Sequence, residues 1–326
     1  MSGDAGGGSV PRPYHRSPMT ELIRVCEVSA FGGPEVLSLH ERPLPVRGPG
    51  EVLVRIEATT VNPTDLAARS GHHRRGLMPE LTTPFVPGWD IAGVVLDGGE
   101  SGYGEGEPIV GLIPWVREGG RVGSYAGAAA VDPAWLARRT ADLNPVTAAS
   151  LPLNALTAWQ GLELIAAPAG ATILITGASG AVGGFATQLA ARAGLHVIAQ
   201  ASAGDEDWVS GLGADEVVAR DADPSALGPV DALFDAVPLG EAAAAAVHDG
   251  GAALFTRRVA DAGEGRIRVE TMLAHPDGAA LGAIVELARR GQLRTRIAQT
   301  LDLSQASEAH RLAERGGLRG KLVLTI

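Results

Sequence analysis

The fold is decided by residues 172–193, which read TILITGASGAVGGFATQLAARA. The apolar run at 172–176 is typical of a buried strand, and the pattern at 182–193 is typical of an amphipathic helix. Gly177, Gly180 and Gly183 recur every third residue between the two. Such a turn lets the backbone approach a pyrophosphate group, whose charge then lies against the free N–H groups of the helix N-terminus. The alternative is a strand–helix turn that uses its glycines for geometry alone.

Strands and helices alternate after this turn. We predict strands at 196–199, 216–218, 231–235, 251–255 and 267–270, with helices at 206–212 and 241–247. Parallel strands joined by helices need right-handed crossovers, which cover the sheet on both faces. Residues 144–276 are therefore predicted to form a doubly wound, Rossmann-type α/β domain that binds a dinucleotide.

The regions on either side of this predicted domain have a different pattern of residues. Between about residues 23 and 131, short β-branched runs such as 52–60 alternate with Gly and Pro, which indicates a β-rich, barrel-like domain. The tail has helices at 279–290 and 305–314 and a last strand at 322–326. We assign 19–143 and 277–326 to this second domain, and the Gly- and Pro-rich residues 1–18 to a disordered leader.

The composition excludes several classes of protein. The 326 residues carry a formal charge of −10, which argues against a nucleic-acid or anionic-membrane partner. No apolar run reaches the ~18–20 residues of a membrane span. Cys26, the single cysteine, excludes a disulfide framework and a four-cysteine zinc site. It also fits a reducing compartment, and we expect a cytoplasmic protein.

The choice of nucleotide depends on the end of the second strand of the sheet. An NAD site usually has a carboxylate there, which binds the ribose 2′-hydroxyl. This chain has Gln200, Ala201 and Ser202 instead, and the short polar side chains leave room for a 2′-phosphate. We therefore predict NADPH, with NADH as the alternative and Arg220 as the cation for the phosphate. Asp205, just downstream, argues against a phosphate at this place.

Residue spacing excludes two classes of dinucleotide-dependent enzyme. Short-chain dehydrogenases need a Tyr-x-x-x-Lys pair, but Lys321 is the only lysine and no tyrosine precedes it by four positions. Zinc alcohol dehydrogenases need a ligand set that includes cysteine. Cys26 lies in a predicted strand, where it is poorly placed as a ligand. We predict no metal site.

Several motifs, in their order along the chain, resemble the zinc-independent medium-chain dehydrogenases/reductases, in particular the quinone oxidoreductase-like branch. They are FGGPEVL (31–37), VNPTDLAARSG (61–71), PFVPGWDIAGVV (84–95), LPLNALTAWQGL (151–162), ITGASGAVGG (175–184), LGADEVV (212–218) and RGKLVL (319–324). The resemblance implies a GroES-like substrate domain, a Rossmann domain, an active site in the cleft between them, and a homodimer. It also implies hydride transfer from NADPH to a quinone or to the β-carbon of an α,β-unsaturated carbonyl.

The resemblance also implies site residues. Asn62 would face the nicotinamide end of the cleft and donate to a carbonyl oxygen as charge develops there, unless it is a loop asparagine that caps its own turn. Thr157 would lie near the nicotinamide ribose, unless its hydroxyl bonds its own helix backbone. We expect the nucleotide to contact the glycine turn and three further residues: Thr176, Gly177, Ala178, Ser179, Gly180, Ala181, Val182, Gly183, Ser202, Arg220 and Lys321. Asp65 is assigned to the substrate cleft or, alternatively, to a helix cap.

The substrate side departs from the family. His72 and His73 begin a basic segment beside the cleft, and His73 would donate the proton that follows hydride transfer. The alternative is a solvated basic loop. Many relatives have tyrosines near Ala67 and His73, a lysine at Asp205 and a tyrosine at Arg220. Trp89, Trp115 and Tyr125 are assigned to the cleft, where they would stack on a planar substrate, with core packing as the alternative.

These observations predict a metal-free NADPH-dependent reductase of small-molecule quinones or enones. One alternative is an enoyl reductase or tailoring enzyme of a secondary-metabolite pathway, such as polyketide synthesis, with the same hydride step on a larger partner. The other is a protein that binds NADPH as a redox sensor without turnover.

Overall fold

A computed structural model describes residues 21–259, 262–263 and 265–326. The predicted leader at 1–18 lies outside the described residues. In chain order the strands of the described part are β1 (Leu22–Val28), β2 (Leu37–Pro43), β3 (Val52–Thr60), β4 (Asp90–Asp97), β5 (Pro108–Leu112), β6 (Ala128–Val131), β7 (Leu136–Arg138), β8 (Thr172–Thr176), β9 (His196–Ala201), β10 (Glu216–Ala219), β11 (Val230–Asp235), β12 (Val247–Phe255), β13 (Arg268–Thr271), β14 (Ile297–Asp302) and β15 (Lys321–Thr325). The α-helices are α1 (Pro63–Arg69), α2 (Pro145–Ala149), α3 (Pro152–Ile165), α4 (Ala181–Arg192), α5 (Glu206–Ser210), α6 (Glu241–Ala244), α7 (Gly278–Arg289) and α8 (Ala306–Arg315).

The parallel sheet has six strands in the order β10-β9-β8-β11-β12-β13. Its first strand, β8, lies in the middle because the chain winds outward first to one side and then to the other. The three central residues of β8 are fully buried, which explains their unbroken apolar run. The strand order reverses between β8 and β11, and ligands of such sheets bind at the carboxyl ends of the strands at this point. The predicted doubly wound domain is confirmed.

The second sheet has seven strands. Its main path is β14-β15-β3-β4-β5-β7, β6 pairs with β3, and a separate antiparallel pair is formed by β1 and β2. Strand β15, at the end of the chain, pairs antiparallel with β3. The predicted GroES-like β-rich domain is thus present, and both ends of the described chain contribute to it.

The structure differs from the predicted elements near residue 245. The helix predicted at 241–247 ends at Ala244, and Val247 already begins β12. Val247 pairs with Val230 of β11, so sheet pairing overrides the helical propensity of the alanine run. In addition, α2 falls inside the predicted Rossmann segment but packs against β3 and β4 of the other sheet. The domain boundaries themselves stay a prediction.

Among the described residues, no helix is both long enough and apolar enough to cross a membrane.

Candidate active site

The glycine turn has the backbone geometry that its spacing predicts. Gly177 has a φ of +64°, a region that disfavours any side chain, and a Cβ there would lie 2.6 Å from Val237 Cγ1. A Cβ on Gly183 would overlap the carbonyl oxygen of Gly177. The N–H of Gly180 closes the turn by donating to the Gly177 carbonyl at 2.9 Å. Glycine is therefore required at 177 and 183 because the first turn of α4 packs directly on the loop before it.

The N-terminus of α4 has no side-chain cap. By contrast, Asn144 caps α2, and Asp277 caps α7 by accepting from the N–H of Ala280 at 2.9 Å. Gly180, the N-cap of α4, offers no side chain, and the partly exposed Ala181 and Val182 follow it. The first N–H groups of a helix have no partner within the helix. This end of α4 can therefore receive an anion.

The side chains of Thr176 and Ala178, two residues predicted to contact the nucleotide, face the protein interior. The hydroxyl of Thr176 is buried and donates to Asp235 Oδ1 at 2.6 Å. The second oxygen of Asp235 accepts from the N–H groups of Leu239 and Gly240 at 3.1 and 3.0 Å. Ala178 is fully buried. Thr176 and Ala178 thus shape the loops at the carboxyl edge of the sheet, and their side chains point away from any ligand.

The end of β9 is bound to the glycine turn. The N–H of Ser202 donates to Ser179 Oγ at 2.9 Å. Ala219, the last residue of β10, pairs with Ala201, so the exposed Arg220 follows at the same level of the sheet as Ser202. The predicted positions Ser179, Ser202 and Arg220 therefore lie at one corner of the sheet.

Asp205, which argued against a phosphate at this corner, is neutralised by two arginines that the sequence analysis missed. Arg296 Nη1 lies 2.8 Å from Asp205 Oδ1, and Arg319 Nε lies 3.6 Å from the same oxygen. Arg319 also donates to the carbonyl of Ala203 at 2.9 Å. The hydrogen bond from Arg296 is the main cause that lowers the pKa of Asp205. The formal charges of Asp205, Arg296 and Arg319 leave this corner of the sheet with a net positive charge.

Local sequence carries no signal for this pairing. Arg296 and Arg319 come from the C-terminal part of the chain, 91 residues after Asp205 and 116 residues after Ala203 respectively. Only the return of the tail to the second sheet brings them to the end of β9. Arg319 belongs to the RGKLVL motif, but nothing in that motif indicates where its side chain lies.

Asn62 lies in a fully buried polar network. Its Nδ2 donates to Asp90 Oδ2 at 2.8 Å and to Thr60 Oγ1 at 3.2 Å. Its Oδ1 accepts from Lys321 Nζ at 2.6 Å. The two acceptors are themselves hydrogen-bonded to each other, so they lie in nearly the same direction from Nδ2 and share one amide hydrogen. Asn62 is also the N-cap of α1, in a capping box with Asp65. Its role as a donor to substrate stays a prediction.

Lys321 differs from its predicted role in cofactor binding. Its ammonium group is buried and donates to the Val61 carbonyl at 3.1 Å in addition to Asn62. Burial lowers the pKa of Lys321, while the carboxyls of Asp90 and Asp65 raise it. The prediction is corrected because an ammonium group held inside the protein is not available to a bound nucleotide.

Asp90 connects the two domains. Its Oδ1 accepts from the N–H of Leu153 at 2.7 Å, in the first turn of α3. Its Oδ2 accepts from Asn62 and from the hydroxyl of Thr60. A carboxylate at the N-terminus of a helix is favoured by the helix dipole. Asp90 therefore fixes α3, the helix that carries Thr157, against β3 and β4.

Asp65 is a helix cap and not a cleft residue. It is fully buried, and its Oδ2 accepts from the N–H of Asn62 at 2.9 Å in a capping box at the start of α1. Burial raises the pKa of Asp65 to about 8, although the Asn62 N–H opposes this shift. The assignment to the substrate cleft is wrong because this carboxyl has no access to a ligand.

The three predicted stacking residues are core residues. Trp89 is 1% exposed, and Trp115 and Tyr125 are fully buried. Trp115 stacks on Phe85 at 5.6 Å and meets Trp89 edge-on at 6.1 Å. The hydroxyl of Tyr125 is paired with His310 Nε2 at 3.0 Å. The cleft assignment of all three is corrected: their rings fill the interior of the β-rich domain.

His72, His73 and Thr157, unlike these aromatic residues, are not fully buried. His72 is exposed and His73 is half-buried, and both lie in a 3-10 helix (His72–Arg75) that follows α1. Burial lowers the pKa of His73, and the charges of His72 and Arg257 lower it further. Arg257 lies just after β12, at the carboxyl edge of the parallel sheet. Thr157 is half-buried, and its hydroxyl donates to the Leu153 carbonyl of its own helix at 2.6 Å, which is the alternative considered for it. Its place at the nicotinamide ribose stays a prediction.

In the part of the chain that the structure describes, no three His, Cys, Asp or Glu side chains are grouped as a metal site requires. An open cavity of about 600 Å³ lies near the C-terminus of α4, lined among others by Gln188, Arg192 and Gln292. It shares Leu212 and Arg294 with a smaller cavity that is lined by Ser179, Gly180 and Ala181 of the glycine turn.

Comparison with known proteins agrees with this arrangement. The family of the alcohol dehydrogenase GroES-like domain matches residues 48–139, and that of the zinc-binding dehydrogenases matches residues 212–324. The chloroplastic quinone-oxidoreductase QR1 of Triphysaria versicolor is 30% identical over 93% of this chain and 98% of its own. The chloroplastic NADPH-dependent alkenal/one oxidoreductase of Arabidopsis thaliana is 31% identical over 68% of this chain and 59% of its own.

The structure of the quinone oxidoreductase from Coxiella burnetii superposes with a TM-score of 0.86 at 27% identity, over 94% of this chain and 100% of that one. A GroES-like domain joined to a six-stranded parallel nucleotide-binding sheet defines the medium-chain dehydrogenase/reductase class of oxidoreductases. Within that class, the chain belongs to the quinone oxidoreductase-like branch. The resemblance seen in the motifs is confirmed.

Proposed function

We propose that the protein is a metal-free, NADPH-dependent reductase of quinones or α,β-unsaturated carbonyls. The observation that carries this proposal is the uncapped N-terminus of α4 behind a glycine turn, at the point where the strand order reverses. The names of the relatives support the substrate class, since one is a quinone oxidoreductase and the other an alkenal/one oxidoreductase.

The residues present fit NADPH. A Cβ at 177 or 183 would overlap neighbouring atoms of the turn. With glycine at both positions, the backbone of the turn can approach a pyrophosphate. The N–H groups of Ala181 and Val182 would bind its oxygens. Ser202 would receive the 2′-phosphate, with Arg319 and Arg220 as its cations. Arg296 neutralises Asp205 and so removes the repulsion that this carboxylate would cause.

When bound, NADPH supplies a hydride to the β-carbon of an enone or to a quinone. The substrate must then gain one proton to become the saturated ketone or the hydroquinone. His73 is proposed to deliver this proton, since its imidazole is half-buried and burial lowers its pKa, which makes the protonated ring a stronger acid. Asn62 and Asp90 hold the wall of the cleft and α3 in place. Holding donor and acceptor ~3–3.5 Å apart accounts for most of the rate enhancement.

The family resemblance supports the proposal that the protein is a homodimer. The single cysteine, Cys26, supports a reducing compartment, for which we propose the cytoplasm. Light scattering after size exclusion tests the first, and fractionation of cells tests the second.

Calorimetry with NADPH and NADH, combined with a turnover assay on simple quinones and extended enones, tests the function. We expect tight NADPH binding and oxidation of NADPH by at least one quinone or small enone. Turnover confined to extended enones supports the enoyl reductase of a biosynthetic pathway. Tight binding without turnover on any substrate supports the redox sensor, and absence of heat with either coenzyme contradicts all three functions.

A further inference from the structure

Arg296 reaches from the seven-stranded sheet to the loops around the glycine turn. It immediately precedes β14, and its carbonyl accepts from the N–H of Lys321, the first residue of β15, at 2.8 Å. The backbone of Arg296 is therefore tied to the seven-stranded sheet. Its guanidinium, in contrast, donates to two residues beside the parallel sheet, from Nη1 to Asp205 and from Nη2 to Ser179.

The guanidinium of Arg296 is held on three sides. Nη1 lies 2.8 Å from Oδ1 of Asp205, whose side chain is 4% exposed, and Nη2 donates to the carbonyl of Ser179 at 3.1 Å. The Cζ atom lies over the ring of Trp208 in α5, 4.6 Å from the ring centroid. Because the guanidinium is a rigid planar fork, these three contacts fix the position of Nη2 against the Ser179 carbonyl.

The Ser179 carbonyl belongs to the peptide group that enters α4. The other end of this planar group is the N–H of Gly180, which donates to the Gly177 carbonyl at 2.9 Å. Hydrogen bonds thus hold both ends of the peptide group, one from within the turn and one from Arg296. Gly180 is the N-cap of α4, so the orientation of this peptide group determines where the first free N–H groups of the helix point.

Arg296 also lines the smaller cavity at the glycine turn, together with Ser179, Gly180 and Trp208 among others. The guanidinium is thus near the place proposed for the pyrophosphate, although two of its nitrogens are bound to Ser179 and Asp205. An arginine in this position can act on the coenzyme through the turn without binding a phosphate oxygen itself.

We propose that Arg296 is a positioning residue of the coenzyme site. From the seven-stranded sheet, it holds the peptide group between Ser179 and Gly180 in the orientation that directs the free N–H groups of α4 at the pyrophosphate. This inference rests on the proposed function, because it presumes that a dinucleotide binds at the turn. The pyrophosphate part of the site then depends on contact between the two sheets, although its N–H groups belong to α4.

A charge-neutral double variant, Arg296→Met/Asp205→Asn, is the main test. It removes one positive and one negative charge, so the net charge of this corner is unchanged and no unpaired carboxylate stays buried. We expect the dissociation constants of NADPH and NADH, measured by calorimetry, to rise alike by about tenfold, because both coenzymes contain the pyrophosphate.

Steady-state kinetics separate a positioning role from a general loss of structure. In the double variant, KM for the coenzyme should rise while kcat at saturating coenzyme is unchanged, since the substrate side of the cleft is not altered. A variant with a damaged fold would lose kcat as well.

Two single variants are controls. Arg294→Met removes a guanidinium that also lies over Trp208, at 5.2 Å from the ring centroid, but its described hydrogen bond goes to the carbonyl of Gly211, outside the turn. We expect wild-type affinity for both coenzymes in this variant. Asp205→Asn alone retains the guanidinium of Arg296, and we expect it to bind NADH with wild-type affinity.

Several results would overturn the role of Arg296. Wild-type dissociation constants for both coenzymes in the double variant do so directly. Loss of affinity for NADPH alone does so because Arg296 would then bind the 2′-phosphate itself. An equal loss of NADH affinity in Asp205→Asn and in the double variant does so because the carboxylate, and not the guanidinium, would then hold the turn.

The same titrations distinguish failure of this inference from failure of the proposed function. A wild-type protein that binds neither coenzyme contradicts both. A wild-type protein that binds both coenzymes, with a double variant that binds them equally well, contradicts only the role of Arg296. Neither result depends on turnover of a quinone or an enone.

Discussion

Arg319 and Arg220 approach the end of β9 from different parts of the chain, one from the C-terminal tail and the other from β10. Arg319 donates to the carbonyl of Ala203, so its position is fixed, whereas Arg220 has no described partner. Because NADPH and NADH differ only by one phosphate, we expect these two arginines to decide whether the site discriminates between the coenzymes.

Arg319→Ala and Arg220→Ala should each weaken NADPH binding about tenfold and leave NADH binding nearly unchanged, since a charge-assisted hydrogen bond to phosphate is lost. Dissociation constants from calorimetry measure both. Arg192→Ala should alter neither constant. Equal losses for NADPH and NADH in a variant would remove the assigned role of that arginine.

His73 is the residue whose protonation should govern the pH profile. Burial lowers its pKa below the usual 6.5, so the imidazole is neutral at pH 7. If its protonated form donates to the substrate, kcat falls as pH rises through this lowered pKa. We expect log kcat to fall with a slope near −1 in this range, and His73→Gln to remove that slope. His72→Gln should retain it, and an unchanged profile in His73→Gln would assign the proton to solvent.

At the scale of the element, α4 depends on its close contact with the turn before it. The first turn of the helix lies so near the Gly177 carbonyl that position 183 has no room for a methyl group. This packing directs the N-terminus of α4 at the place proposed for the pyrophosphate, so we expect the packing of α4 and the binding of the cofactor to depend on the same glycine.

Gly183→Ala should destabilise the protein by about 1–3 kcal/mol, because the helix must move away from the turn. It should also weaken both coenzymes alike, since the pyrophosphate is common to them. Urea unfolding and calorimetry measure the two effects. Gly282→Ala in α7 is the matched control: a Cβ there meets no atom, and the gain of ~0.4–1 kcal/mol comes from the unfolded chain. A stable Gly183→Ala with normal affinity contradicts this account.

At the scale of the whole molecule, the buried network of Asn62, Asp90 and Lys321 joins four parts of the chain. Lys321 comes from β15, Asn62 precedes α1, and Asp90 begins β4 and caps α3. The C-terminal strand, the cleft wall and the helix that leads to the parallel sheet are thus held by one set of hydrogen bonds.

Lys321→Met should destabilise the protein by about 3–5 kcal/mol, because Asp90 keeps its buried charge without the compensating ammonium group. In Lys321→Met/Asp90→Asn both charges are absent, and we expect part of the loss to be recovered. Denaturant unfolding of the single and double variants measures the coupling. Strictly additive losses would show that the two charges do not interact.

The sequence alone determined the parallel sheet, its glycine turn and the membership in the family. These features depend on local patterns: the apolar run of β8, the three-residue spacing of glycines and motifs of consecutive residues. Such patterns fix the backbone conformation of a short segment, which is why the β8–α4 unit was predicted within one residue.

Only the tertiary structure decided what each polar side chain contacts. The amide of Asn62 faces Asp90 and Lys321, the rings of Trp89 and Trp115 fill the core, and Asp205 is neutralised by Arg296. The partners in these contacts are tens to hundreds of residues apart in the chain. Burial and hydrogen bonding depend on how distant elements cross in space, and no local pattern of residue types records that.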